Sequence, residues 1–113
     1  MSGNNKIEIL DSTLREGEQT PGVSFTKSQK ITIAKMLDSF GVDFIELGHP
    51  AVSSDIYKTI EALNQLSLNA EKMVHGRLTK SDIDDAVELG VPWIGLFFGT
   101  SRDYLYDLSL IHI

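Results

Sequence analysis

Gly41-Val42-Asp43-Phe44-Ile45-Glu46-Leu47-Gly48-His49-Pro50 is the stretch that decides how this chain folds. Gly41 stands where a helix ends, because the residue just past a helix takes a left-handed backbone that glycine adopts without steric cost. Val42 to Leu47 is a short aromatic and β-branched run that reads as a strand, and Pro50 stops it. Glu46 is the odd residue of that run, a carboxylate in an apolar strand at the point where the chain enters a loop.

The same alternation recurs on both sides. Upstream, Lys6 to Asp11 reads as a first strand, followed by a polar loop. A helix then starts near Thr26, where Gln29 three residues later completes a capping-box signature, with Ile33, Ala34, Leu37 and Phe40 as its apolar stripe. Downstream, Ser53 or Ser54 caps a second helix in which Ile56, Ile60 and Leu63 recur at helical spacing. Glu71 to His75 forms a third strand, and Thr79 with Asp82 resembles another capping box. The short helix that follows carries Ile83, Ala86 and Val87 and ends at Gly90. The fourth strand, Trp93 to Phe98, is almost wholly apolar, as expected when helices cover both faces of a parallel sheet. These units predict an α/β fold with about four parallel strands, either the N-terminal half of a (β/α)8 TIM barrel or a small doubly wound sheet. Periodicity alone does not choose between them.

Composition narrows the class. A chain of 113 residues, 42% apolar and 23% charged, has the makeup of one globular domain at most. Its 16 acidic against 10 basic side chains argue against nucleic acid as a partner, since phosphate neutralisation needs clustered Lys and Arg. Absence of cysteine removes disulfides, thiolate nucleophiles and Cys-rich zinc sites. With a polar N-terminus and no apolar run of membrane-spanning length, the expectation is a cytoplasmic protein with no membrane partner. Residues 1–5 read as a disordered N-terminus and residues 6–107 as a partial barrel domain. Leu108-Ser109-Leu110-Ile111-His112-Ile113 coincides with an in-frame translation of the transposon-end sequencing adapter CTG TCT CTT ATA CAC ATC, and is read as adapter-derived.

Polar residues gather at the C-terminal ends of the predicted strands, where parallel α/β proteins bind ligands. Asp11-Ser12-Thr13-Leu14-Arg15-Glu16-Gly17-Glu18-Gln19 follows the first, Glu46 and His49 close the second, His75 and Arg77 the third, and Thr100 and Ser101 the fourth. An Arg-Glu pair alone is most often a solvated ion pair, and a lone histidine is more often structural than a ligand; repetition at every strand end is what raises the functional reading. Phe97 and Phe98 are read as packing residues. Asp82, Asp84, Asp85 and Glu88 are read as the solvated face of a helix, with acids favourably near its N-terminus. No glycine spacing matches a dinucleotide or P-loop motif.

The Asp11 to Gln19 segment resembles the signature Asp-x-Thr-Leu-Arg-(Asp/Glu)-Gly-x-Gln of the acyltransferases that make homocitrate and 2-isopropylmalate, and the resemblance runs from about Lys6 to Asp107. It implies an N-terminal fragment of a TIM-barrel enzyme, dimeric when complete, that condenses acetyl-CoA with a 2-oxo acid at a divalent metal, Mg, Mn or Zn. Carried over by position, Glu16 matches the acidic metal ligand and Arg15 the guanidinium that stabilises the enolate or ketone oxygen. Glu46 matches the acid that orders the pocket, and Gln19 a residue lining it. His75 matches a histidine near the 2-oxo acid in the homocitrate branch, which favours 2-oxoglutarate, and Asp11 has a supporting role. The resemblance also implies a His-x-His pair of metal ligands on a later strand, beyond Asp107. Gly48-His49 stands where better-known homocitrate synthases carry Thr-Ser, so His49 either contacts substrate or caps its loop. The alternatives are 2-isopropylmalate or citramalate synthesis, a lyase on the same barrel, or a small binding module without catalysis.

Overall fold

In a computed structural model of the chain, residues 6–99 are described. The expectations for residues 1–5, for Thr100 and Ser101, and for Leu108 to Ile113 lie outside the described residues. The elements in order are β1 (Leu10–Asp11), α1 (Thr13–Glu16), a 3₁₀ turn (Gly17–Gln19), α2 (Lys27–Phe40), β2 (Phe44–Glu46), a second 3₁₀ turn (Pro50–Val52), α3 (Ser54–Asn64), β3 (Glu71–Arg77), α4 (Lys80–Leu89) and β4 (Trp93–Phe97).

The four strands form one sheet in the order β1-β2-β3-β4, with every neighbouring pair parallel. This order settles the choice that periodicity left open. A doubly wound sheet reverses direction at a switch point and so never runs in strict sequence, whereas a barrel adds each strand beside the last. The chain is therefore the first half of a (β/α)8 barrel in architecture.

Local chemistry explains the element boundaries. Thr26 caps α2 with both halves of the capping box formed, and Gly41 closes the helix at φ 101°. Ser53, not Ser54, caps α3. The segment after β1, expected as loop, instead holds α1, because Asp11 Oδ1 accepts from Thr13 N at 2.8 Å and Ser12 O accepts from the amides of Arg15 and Glu16. The first strand is shorter than expected, Leu10–Asp11 rather than Lys6 to Asp11, although Ile9 still bonds to Asp43 and Phe44 of the next strand's approach.

Side chains alternate across the sheet with the period of two that pleating imposes. Ile45, Leu47 and Val74 point to the helices and join Ile60, Leu63, Ala34, Ala86 and Leu89 in the buried core. Phe44, Glu46, Met73, His75, Trp93, Gly95 and Phe97 occupy the other face, where the Phe44 and Trp93 rings meet edge to face at 5.4 Å. A Cβ on Gly95 would lie 3.1 Å from Met73 Cε, so glycine there leaves room for the Met73 side chain.

Two of the predicted helix stripes each lose one member to solvent. In α2 Ala34 is buried and Ile33 and Leu37 pack against the core as expected, Lys30 is buried beside them, and Phe40 is exposed. In α4 the buried row is Asp82, Ala86 and Leu89, and Val87 is exposed. β4, expected to be covered on both sides, exposes Trp93, Leu96 and Phe97, since only β3 flanks it among the described residues.

Candidate active site

The signature residues converge at the C-terminal ends of β1 to β3. Arg15, on α1, donates from Nε to the Glu46 carboxylate across 31 residues of sequence and from Nη1 to Glu16 Oε1 at 2.6 Å. Glu46 is buried, with its side chain 6% exposed, while Glu16 is 58% exposed at the rim. Burial works against the Arg15 guanidinium, but its hydrogen bonds and charge interactions with Glu46 and Glu16 outweigh that and hold its pKa above the ordinary value. Arg15 is therefore a fixed, permanently charged donor whose direction is set from two sides.

His75 lies beside this pair, with Nδ1 3.8 Å from Glu46 Oε2 and its ring stacked on Phe97 at 4.3 Å and 12°. Burial first, and the nearby Arg15 charge second, lower its pKa, so the imidazole is neutral near pH 7. Phe97 thus does more than pack: on an open edge strand it offers a ring face, and His75 takes it. A small cavity next to these groups is lined by Arg15, Gln19, Glu18, His49, Leu14, Val52 and Ile56, among others. Glu18 also accepts from Phe25 N at 3.1 Å and from the buried Lys30 Nζ at 2.8 Å, which pins the loop between α1 and α2 to α2.

One buried acid was not anticipated. Asp82, read as part of a solvated helix face, is 2% exposed at the side chain. It accepts from Arg77 N at 2.8 Å and Nε at 3.0 Å on Oδ2, from Arg77 Nη2 at 3.0 Å on Oδ1, and lies 3.1 Å from His49 Nε2. The Arg77 side chain foremost, then its amide and His49, hold this carboxyl well below the usual carboxylate range despite burial. The expected second capping box is half formed for the same reason. Thr79 accepts from Asp82 N at 3.3 Å, but the Asp82 carboxylate is taken by Arg77 and His49 and does not return to Thr79. The available signal was helical spacing, which puts Asp82 in the row of Ala86 and Leu89. His49 does not cap its loop through its side chain.

No three carboxylate or imidazole groups are placed to hold a metal ion among the described residues. Glu16 offers one suitable oxygen ligand and not a set, so this half of the barrel does not by itself fit a divalent ion. No helix among the described residues is long and apolar enough to cross a membrane.

A consecutively wound parallel sheet with charged groups at its strand ends defines a (β/α)8-barrel scaffold with its site at the C-terminal face. The chain belongs to the HMGL-like family, whose model matches residues 6–108. It is 52% identical to a homocitrate synthase of Pyrococcus abyssi over 107 residues, which is 92% of this chain and 30% of that protein. It is likewise 52% identical to the homocitrate synthases of Pyrococcus horikoshii, over 83% of this chain and 26% of the relative, and of Sulfurisphaera tokodaii, over 88% and 23%. The chain thus spans less than a third of the length of the curated relatives it matches.

Proposed function

We propose that this chain supplies the first four βα units of an acyltransferase that condenses acetyl-CoA with a 2-oxo acid, 2-oxoglutarate in preference, to give homocitrate. The observation that carries this reading is Arg15, aimed by the buried Glu46 and flanked by Glu16 and the neutral His75 at the mouths of adjacent strands.

In such a Claisen condensation the acetyl methyl loses a proton, its carbon bonds to the carbonyl carbon of the 2-oxo acid, and hydrolysis of the thioester releases CoA. Negative charge grows on the carbonyl oxygen, and a fixed guanidinium stabilises it without reorganising at the moment of reaction. Arg15 fills that role. Glu46 holds its direction and orders the pocket, and Asp11 supports both by starting α1. Gln19 and His75 bind the 2-oxo acid. Glu16 would supply one oxygen ligand to a divalent ion, which when bound would polarise the substrate's oxygens as a Lewis acid.

The 113-residue chain alone is expected to be inactive, because one carboxylate does not define a metal centre and β1 and β4 each keep an unpaired edge among the described residues. The test is to assay CoA release by the complete gene product with 2-oxoglutarate, 2-oxoisovalerate and pyruvate, beside the isolated chain. Preference for 2-oxoglutarate is expected. A preference for 2-oxoisovalerate turns the reading to 2-isopropylmalate synthesis, and CoA release by the isolated chain overturns the predicted inactivity.

A further inference from the structure

His49 lines the cavity that holds Arg15, and the buried Asp82 stands behind it, without a part in the condensation above. Asp82 is buried and ionised, and a carboxylate oxygen only accepts, so the 3.1 Å contact fixes His49 with its proton on Nε2. Asp82 is itself held by three donors of Arg77, one of them backbone, so this anchor does not follow the imidazole if it moves. The His49 ring is also wedged edge to face against His75 at 5.5 Å and Phe97 at 6.1 Å. Among the described residues its Nδ1 has no hydrogen-bond partner. The ring lines the cavity that Arg15 and Gln19 share, and Nδ1 is the one polar atom it has left for a ligand.

We propose that His49 is a specificity-determining residue whose Nδ1 binds the side-chain carboxylate of the 2-oxo acid, and that Asp82 is the positioning residue that aims it. A carboxylate held there accepts from Nδ1–H while Nε2–H stays on Asp82, so that the Asp82 charge on the far side of the ring supports recognition of a second anion. An alkyl side chain in the same place offers Nδ1 no partner, which is how the pocket discriminates. The inference rests on the proposed condensation and deepens it.

The test measures KM for 2-oxoglutarate, kcat and melting temperature in the complete gene product. Asparagine places a polar atom near Nδ1 and does not reach Asp82; glutamine reaches toward Asp82 and leaves the Nδ1 position empty. His49→Gln is expected to raise KM about tenfold with the melting temperature kept, and His49→Asn to lower the melting temperature with KM within about threefold of wild type. Asp82→Asn is expected to raise KM about tenfold alone but less than about twofold in the His49→Asn background, because its effect passes through the imidazole. If KM instead tracks melting temperature across the variants, or is unchanged in His49→Gln, His49 is only structural and the proposal falls while condensation stands. Wild-type preference for 2-oxoisovalerate also overturns it, and failure of the wild type to condense any 2-oxo acid removes both readings together.

Discussion

Glu46 and Asp82 are two buried carboxylates built alike, each holding one arginine and facing one histidine, and they do opposite things. Glu46 sits on a strand and reaches an arginine from another βα unit, 31 residues away, so that its partner Arg15 is presented to the cavity. Asp82 sits on a helix and takes an arginine five residues away on the adjoining strand, both oxygens and the backbone amide included. The first acid aims a charge outward, and the second ties α4 onto the end of β3. The two histidines, one per acid, meet edge to face between them. A buried acid–guanidinium pair therefore does not announce its role by its geometry; what matters is whether the cation lines the cavity, as Arg15 does and Arg77 does not.

The largest effect expected is at Arg15. Arg15→Gln keeps an amide to donate to Glu46 and removes the charge, and kcat of the complete gene product should fall about 10²–10³-fold, the usual cost of a lost donor to a developing oxyanion. KM should change far less. Equal losses in kcat and in thermal stability would place Arg15 with Asp82 as a structural tie.

Asp82 should show the reverse pattern, with stability leading. Asp82→Ala removes the acceptor that the Arg77 amide, Nε and Nη2 share, and Arg77, with its side chain 43% exposed, recovers part of that loss in water. The cost should be about 2–3 kcal/mol in urea unfolding, below the usual figure for a fully buried broken pair. The carboxyl's pKa is lowered in the folded state, so its stabilisation is present above the unfolded value of about 3.9 and is lost as pH falls through the folded value. The wild type should lose stability on acidification below about pH 4 more steeply than Asp82→Asn, and parallel acid profiles would show that the pair contributes nothing.

The same contrast explains what could be read before the structure. Glu46 was legible because a charge inside a β-branched run stands out, and the signature around Arg15 and Glu16, not the charge alone, set it apart from an exposed strand-end acid. The order of elements was legible for the same reason, since capping at Thr26 and the left-handed Gly41 are local events written in adjacent residues. Asp82 was not, because an acid in the first turn of a helix already has a sufficient local reason, the helix dipole, and its burial depends on a strand and a loop distant in sequence. Phe40 and Val87 fall out of their stripes for a related cause: both extend an apolar pattern in sequence, but the buried faces also take in Lys30 and Asp82, whose charges are paired. Strand order lay beyond periodicity altogether, since it is fixed by pairing between segments and not within them.

The smallest effect separates capping from anchoring. Thr26 and Thr79 both accept from the backbone three residues on, at 3.1 Å and 3.3 Å, and each mutation to alanine should cost about 1 kcal/mol. Their third residues differ. Gln29 returns its side chain to Thr26 N at 2.8 Å, whereas Thr79 N bonds to Arg77 O at 2.7 Å and leaves Asp82 to other partners. Gln29→Ala should therefore cost only about 0.5 kcal/mol, as expected for one exposed hydrogen bond, and several times less than Asp82→Ala. If the two changes cost the same in urea unfolding, Asp82 acts as a cap like any other, and its tie to Arg77 and His49 adds no stability to the fold.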